Sequence, residues 1–313
     1  MNPEDLQPAE ETILPPSPSE KSGSRLPLTA LLAGAVAIAF APIFVRLSPV
    51  GPSATAFWRI VLALPPLWFW MSFKRERIKS TPSPSSFSDF LYLSLAGLFF
   101  AGDLAIWHWS IKLTSVANAT LLVNFAPVFV TLGGWLIFGQ RARMIFLLGM
   151  VLALSGMVMI AGNSFQISLL HFSGDALSFS AALFYAGYLL SVKSLRERFS
   201  TPTLMAWSGL VTALALLPIT WLSGEGLSIS SFQGWTVLIG LALISQVAGQ
   251  SLIAFALAHL PASFSSVALL VQPVAAAFLA WFLLKEDLVV WQVVGGLLVL
   301  FGILVAKRGS PLE

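Results

Sequence analysis

The sequence predicts an all-α membrane protein in which ten transmembrane helices form two inverted five-helix repeats. Three observations support this fold class: the composition, the number of long apolar segments, and an internal repeat. Of the 313 residues, 57% are hydrophobic and 10% are charged, whereas soluble domains carry about 25% charged residues. A chain this apolar has too little polar surface to cover a soluble fold, so we expect most of its helices to face lipid.

Ten apolar segments are long enough to cross the hydrocarbon layer, which takes about 20 residues in a helix. Charged or Pro- and Ser-rich stretches separate them, such as the basic stretch 74–79 after the second segment. Residues 1–26 are rich in Pro, Ser and Glu and show no apolar period, which predicts a disordered tail. The predicted spans are 28–45, 54–73, 89–109, 117–138, 145–161, 174–192, 203–222, 234–257, 263–284 and 289–306.

Residues 115–162 and 261–308 are two versions of one segment. Without any gap, the comparison pairs Pro127 with Pro273, Trp135 with Trp281, Gly149 with Gly295 and Gly156 with Gly302. The repeat divides the chain into two five-span halves, 27–162 and 173–308. Because each half has an odd number of spans, the second half is expected to be inserted upside down relative to the first.

The distribution of Lys and Arg predicts the orientation. If the amino terminus is cytoplasmic, thirteen of the 17 basic residues face inward and three face outward, as the positive-inside rule requires. Both termini are then cytoplasmic. The loop with Arg141 and Arg143 faces inward, whereas its repeat counterpart, which begins at Lys285, faces outward. The charges thus agree with an inverted repeat, and the compact loops favour a bacterial inner membrane.

This ordered set of features resembles the EamA-type drug/metabolite transporter superfamily. In both halves a small-residue segment, 114–119 or 261–263, leads into a helix with a mid-span proline, and a polar pair and a Gly-rich span follow. Glu286 stands where the family has an acidic residue, but Gln140 replaces it in the first half. The resemblance implies a ten-helix permease that moves small metabolites, often outward, from a cavity between the repeats. The family's substrates include amino acids, bases, sugars and drugs.

Asp103 is the first candidate functional residue, because it lies inside the third span. A carboxylate there costs about 2.5–3.5 kcal/mol on insertion scales, so it is expected to face protein or a wet cavity. Arg59 is predicted at a similar depth on the preceding antiparallel helix. Three interpretations stay open: a structural ion pair with Arg59, a cavity-facing carboxylate that binds a cationic group or a coupling proton, and a hydrated carboxylate near the outer mouth.

The aromatic cluster beside Asp103 has two interpretations. Trp107, His108 and Trp109 lie at the predicted outer end of the third span, where tryptophans commonly form an interfacial belt. The alternative is a gate or binding cage. Trp107 is the better candidate for substrate contact, because it is one helical turn from Asp103.

Polar residues in four further spans are candidates for lining a cavity. In the fourth span Thr120, Asn124, Pro127 and Thr131 share one helical face, and this face could line a cavity or hold helices together by hydrogen bonds. Pro127 and Pro273 predict mid-span kinks, because proline removes a backbone hydrogen bond. The glycines of the two Gly-rich spans are predicted packing positions. Further lining candidates are Tyr185 and Tyr188, Gln246 and Gln250, and Gln272.

From these residues we expect a secondary transporter, not an enzyme, with a cavity lined by spans three, four, eight and nine. Its partners would be a small-molecule substrate, the bilayer and, if Asp103 titrates, a coupling proton. We expect no cofactor, metal or nucleic acid, since the chain has three histidines, no cysteine and no phosphate-binding Gly loop. Three alternatives remain: transport of a phosphorylated sugar or nucleotide-sugar, a membrane-embedded enzyme, and a purely structural membrane protein.

Overall fold

A computed structural model describes residues 25–77, 82–114, 116–162, 172–285 and 287–310. Within these ranges ten helical spans are long and apolar enough to cross a membrane, so the predicted number of spans and the fold class are confirmed. The predicted tail lies outside the described residues except for its last two positions, which begin the first helix at Arg25. Glu286, the acidic residue of the family pattern, also lies outside them.

The spans are numbered here in chain order. Four of them, spans 1, 2, 4 and 9, consist of two helices each, and span 8 contains a π-helical segment. Their bounds are Arg25–Ala39 and Ala41–Leu47 (span 1), Pro52–Val61 and Leu64–Arg77 (span 2), Phe87–Leu113 (span 3), Val116–Val123 and Ala126–Phe138 (span 4), Met144–Ala161 (span 5), Phe172–Arg196 (span 6), Thr201–Leu222 (span 7), Phe232–Gly240, Leu241–Gln250 and Ser251–Leu257 (span 8), Ala262–Ala268 and Val271–Leu284 (span 9), and Val290–Gly309 (span 10).

The breaks in spans 4 and 9 occupy equivalent places in the two halves. Span 4 is interrupted just before Pro127, which stands in the first turn of its second helix. Span 9 is interrupted just before Val271, two residues ahead of Pro273. A proline has no N–H for the preceding turn and its ring crowds the carbonyl four residues back. Spans 4 and 9, which are repeat counterparts, are therefore both broken beside a proline near their middle.

Spans 5 and 10 show the twofold relationship between the halves directly. A Cβ added at Gly149 would lie 2.6 Å from the carbonyl oxygen of Gly302, and one at Gly156 would lie 2.5 Å from that of Gly295. Gly149 and Gly295 are repeat partners, as are Gly156 and Gly302, so exchanging the halves converts one contact into the other. This is the contact pattern of a twofold axis, and it confirms that the glycines are packing positions.

The other contacts between the halves surround the centre of the molecule. Span 1 meets span 8 at Gly34, where an added Cβ would lie 2.9 Å from the carbonyl oxygen of Gly249. Span 3 meets span 7 at Gly97, whose carbonyl accepts a hydrogen bond of 2.9 Å from the Thr212 hydroxyl. In both contacts one of the first three spans of the first half thus packs against one of the first three spans of the second half, and a space enclosed by both halves lies between them.

Candidate functional site

The central space is a cavity of about 160 Å³ between the two halves. Spans 1, 2, 3, 4, 6, 8 and 9 all contribute to its wall, so the expectation that spans 3, 4, 8 and 9 line it was incomplete. Aliphatic and aromatic side chains form most of the wall. The larger polar or ionisable lining residues are Arg59, Asp103, Trp107, His108, Thr120, Asn124, Tyr185, Gln250 and Gln272.

Arg59 is held in place from both halves of the chain. Its Nε donates a hydrogen bond of 3.0 Å to Oε1 of Gln246 in the π-helical segment of span 8. Its guanidinium carbon lies 5.9 Å from the centroid of the Phe100 ring of span 3, within the range of a cation–π contact. These two contacts fix the direction of a side chain that lines the cavity.

Asp103 lines the same cavity but does not pair with Arg59. Its side chain is 8% exposed, and among the described residues no hydrogen bond or ion pair to it is found. The neighbouring Gly102 lies where span 3 packs closely against span 6, because a Cβ added there would lie 2.4 Å from the Phe184 ring. Asp103 thus faces the cavity, and the ion pair with Arg59 that the sequence left open is not formed.

Three buried polar atoms around the cavity have no hydrogen-bond partner within the described parts of the chain. They are Nε1 of Trp107, Oε1 of Gln250 and Nε2 of Gln272. Buried polar groups almost always have partners, and leaving one without costs about 1–3 kcal/mol. Two donors and one acceptor on the wall of one cavity are therefore suited to binding a polar ligand or ordered water.

The polar face of span 4 divides into two parts. Thr120 and Asn124 line the cavity, and Nδ2 of Asn124 donates 2.7 Å to the carbonyl of Thr120, which leaves Oδ1 of Asn124 as an acceptor. Thr131 lies beyond the break and donates 2.7 Å to the carbonyl of Pro127. The polar face predicted from 3.6-residue spacing thus lines the central cavity at Thr120 and Asn124, whereas Thr131 makes a hydrogen bond within its own helix.

Two residues predicted to line the cavity do not line it. Gln246 is buried behind Arg59 and orients it. Tyr188 is buried one layer deeper, where its ring stacks on Phe100 with centroids 4.6 Å apart and its hydroxyl contacts the sulfur of Met205. Tyr185 and Tyr188 lie in span 6 as predicted, but they point in different directions. Tyr185 lines the cavity, whereas Tyr188 lies in the core.

Of the two interpretations of Trp107, His108 and Trp109, the interfacial belt fits only Trp109, because the first two side chains line the cavity. His108 is 2% exposed, lines the cavity and contacts the carbonyl of Leu104 through Nδ1. Trp107 also lines the cavity, whereas Trp109 is 47% exposed on the outside of the bundle. The predicted span 89–109 ended four residues before the helix does at Leu113, and tertiary packing covers two of the three rings.

Several lining positions carried no signal in the sequence. The wall formed by span 1 and the start of span 2 is mostly apolar, with Ile38, Pro42, Val45 and Ala56 among its residues. Such residues are indistinguishable from lipid-facing ones by composition. Pro42 was the available clue, because span 1 breaks just before it.

Most of the chain matches a family model in two parts. The EamA-like transporter family model covers residues 25–162 and 172–307, once for each half. The chain belongs to the EamA-like transporter family. It is therefore a multi-pass membrane protein of a transporter family, as the resemblance of the sequence implied.

Individual EamA relatives are similar over most of their length. An uncharacterized transporter of Archaeoglobus fulgidus is 28% identical over 270 residues, which cover 83% of this chain and 90% of the relative. The pseudopaline exporter CntI of Pseudomonas aeruginosa is 23% identical over 69% of this chain and 74% of its own length. A crystal structure with 17% identity covers 92% of this chain and 97% of its own, with a TM-score of 0.77, and supports the fold.

Proposed function

We propose that this EamA family member is a secondary transporter that exports an amino acid or a similarly small metabolite with an amino group. The observation that carries the proposal is the cavity-facing Asp103, which makes no hydrogen bond or ion pair among the described residues and shares the cavity with the anchored Arg59. A buried charge is unfavourable unless it is paired. A cationic group of the cargo would supply the partner that Asp103 lacks.

The rest of the cavity fits a small zwitterion with an apolar part. The terminal nitrogens of Arg59 can donate to a carboxylate, and Nε1 of Trp107 and Nε2 of Gln272 are further donors. Phe100 and Tyr185 supply aromatic walls. A cavity of about 160 Å³ suits one such molecule, and the name of the CntI relative supports export of a small metabolite.

The orientation and the transport cycle are parts of the same proposal. With both termini in the cytoplasm of a bacterial cell, the cavity lies toward the outer face, where spans 1 and 3 end. Tyr188 and Phe100 stack at its inner side. Alternating access would be a rearrangement of repeats 27–162 and 173–308 about the twofold axis, which exposes the site to the opposite side. Protonation of Asp103 between turnovers would couple the cycle to a proton.

Phosphorylated cargo is less compatible with the site. Among the described lining residues, Arg59 is the sole Lys or Arg, and Asp103 would repel an anion. Phosphate is held by several cationic donors, so the geometry favours the zwitterion.

A comparison of small molecules inside and outside cells with and without the chain tests the proposal. We expect an amine-bearing metabolite to rise in the medium and to fall inside. Accumulation inside would reverse the direction of transport, and an unchanged distribution under several nutrient loads would contradict the proposal. A neutral or polyanionic cargo would keep the transporter but reject the role given to Asp103.

A further inference from the structure

A second cavity lies at the end of the molecule that carries both described termini. This basic vestibule has a volume of about 240 Å³ and takes its charged side chains from both halves. Arg141 and Arg143 come from the connection between spans 4 and 5, and Lys193 from the end of span 6. Its described lining contains no Asp or Glu. The vestibule therefore has the electrostatic character of an anion site.

Ser310 gives an independent indication that the vestibule binds a ligand. Its side chain is 8% exposed and lines the vestibule, and its Oγ has no hydrogen-bond partner among the described residues. Span 5 also begins here, and its N-cap residue Arg143 makes no side-chain capping bond. An acceptor such as a phosphate oxygen would satisfy the Ser310 hydroxyl and interact favourably with the start of the helix.

A lateral groove between spans 4 and 5 opens from the vestibule toward the outside of the bundle. The two spaces share Thr131, Arg141 and Ala142, so they adjoin each other. Apolar side chains form the remaining wall of the groove, which has a volume of about 520 Å³: Val128, Leu132, Trp135, Leu147 and Met150. Trp135 is 53% exposed, and it belongs to a membrane span. This groove would therefore contact hydrocarbon.

We propose that the groove and the vestibule together bind one anionic phospholipid. An acyl chain would lie along the apolar groove, and the phosphate would meet Arg141 and Arg143, with Ser310 donating to one of its oxygens. A soluble anion would leave the apolar groove unused. The choline of a zwitterionic lipid would place a cation beside Lys193. Because the ligands come from both halves, the lipid would link them at this end of the molecule.

Native mass spectrometry of the full chain released from nanodiscs of equimolar phosphatidylglycerol and phosphatidylcholine tests this site. We expect retention of one phosphatidylglycerol with about tenfold preference over phosphatidylcholine, as expected for charge-assisted hydrogen bonds. Arg141→Gln with Arg143→Gln should abolish the preference. Arg25→Gln with Arg308→Gln is the matched control, since both residues are exposed near the same end and neither lines the vestibule.

The groove is tested by filling it. Leu147→Trp should reduce retention of phosphatidylglycerol, whereas Leu148→Trp should not, because Leu148 lies on the same helix but outside the groove. Soluble glycerol phosphate distinguishes a lipid headgroup from a free phosphate as the bound group, and it should not displace the lipid. Equal retention of both lipids, no effect of Leu147→Trp, or displacement by glycerol phosphate would each overturn the proposal, even if the double arginine variant does not fold.

Discussion

Nε of Arg59 donates a 3.0 Å hydrogen bond to Oε1 of Gln246, a residue 187 positions later in the chain. The bond crosses the boundary between the two repeats at the wall of the central cavity. It fixes the direction of a cation that has no ion-pair partner among the described residues. The site therefore depends on both halves at once, and the predictions below use that dependence.

Removing the anchor of Arg59 should impair transport without unfolding the protein. In Gln246→Ala the guanidinium loses its only amide acceptor among the described residues, and a hydrogen bond to a charged group contributes about 1.5–3 kcal/mol. We expect the apparent affinity for the cargo to fall about tenfold or more in an efflux assay. Gln233→Ala, at an exposed position at the start of the same span, should leave it unchanged, and equal effects would reject the anchoring role.

The indole nitrogen of Trp107 should contribute to cargo binding. Trp107→Phe keeps an aromatic ring but removes a buried donor that has no partner among the described residues. We expect weaker binding by about threefold to tenfold, the usual size of one neutral hydrogen bond, measured by competition of the cargo in the same assay. Trp109→Phe on the outer surface is the control. If Trp107→Phe binds as tightly as the natural chain, Nε1 does not contact the cargo.

The crossing of spans 5 and 10 should be intolerant of a single methyl group. An alanine side chain at Gly149 would lie 2.2 Å from the backbone nitrogen of Ala306, so the helices would have to separate. Overpacking of this kind costs about 1–3 kcal/mol, and Gly149→Ala should lower the melting temperature in detergent. Gly226→Ala meets nothing within 4 Å and should not. Equal melting temperatures would contradict the close crossing.

Asp89 should contribute more to stability than its ion-pair partner does. Its carboxylate is 1% exposed and accepts hydrogen bonds from the backbone N–H groups of Ser85 and Ser86. The side chain of Arg198, which pairs with it, is 53% exposed. Asp89 is the third residue of the helix and forms a capping box with the N-cap residue Ser86. Loss of such a capping interaction costs about 0.5–2 kcal/mol, whereas a partly exposed ion pair contributes about 0–1 kcal/mol. Asp89→Ala should therefore lower the melting temperature more than Arg198→Gln, and the reverse order would contradict this account.

The sequence predicted the spans well because they depend on local apolar length. It predicted the repeat well because the two halves can be compared residue by residue. Apolar length determines a span, and the paired Pro127 and Pro273 or Gly149 and Gly295 mark equivalent places whatever their neighbours are. Asp103 and Arg59 were also identifiable, since charge inside a span is expensive.

The rotation of each helix was harder to predict, because it depends on which neighbour covers each face. Tyr185 and Tyr188 are three residues apart, yet only Tyr185 lines the cavity. His108 was expected at the lipid interface and is buried instead. The wall from span 1 was missed because apolar lining residues and lipid-facing residues have the same composition. These features follow from packing between the halves, which a single-sequence pattern does not contain.

The most direct test of the central claim is efflux from proteoliposomes once the cargo is identified. The account predicts that Asp103→Asn, which keeps the size of the side chain but removes its charge, lowers the initial rate at least about tenfold. Asp175→Asn, the same change outside the cavity at the start of span 6, should retain the natural rate. Unchanged efflux of Asp103→Asn at every pH would contradict the claim that Asp103 binds the cargo or carries the coupling proton.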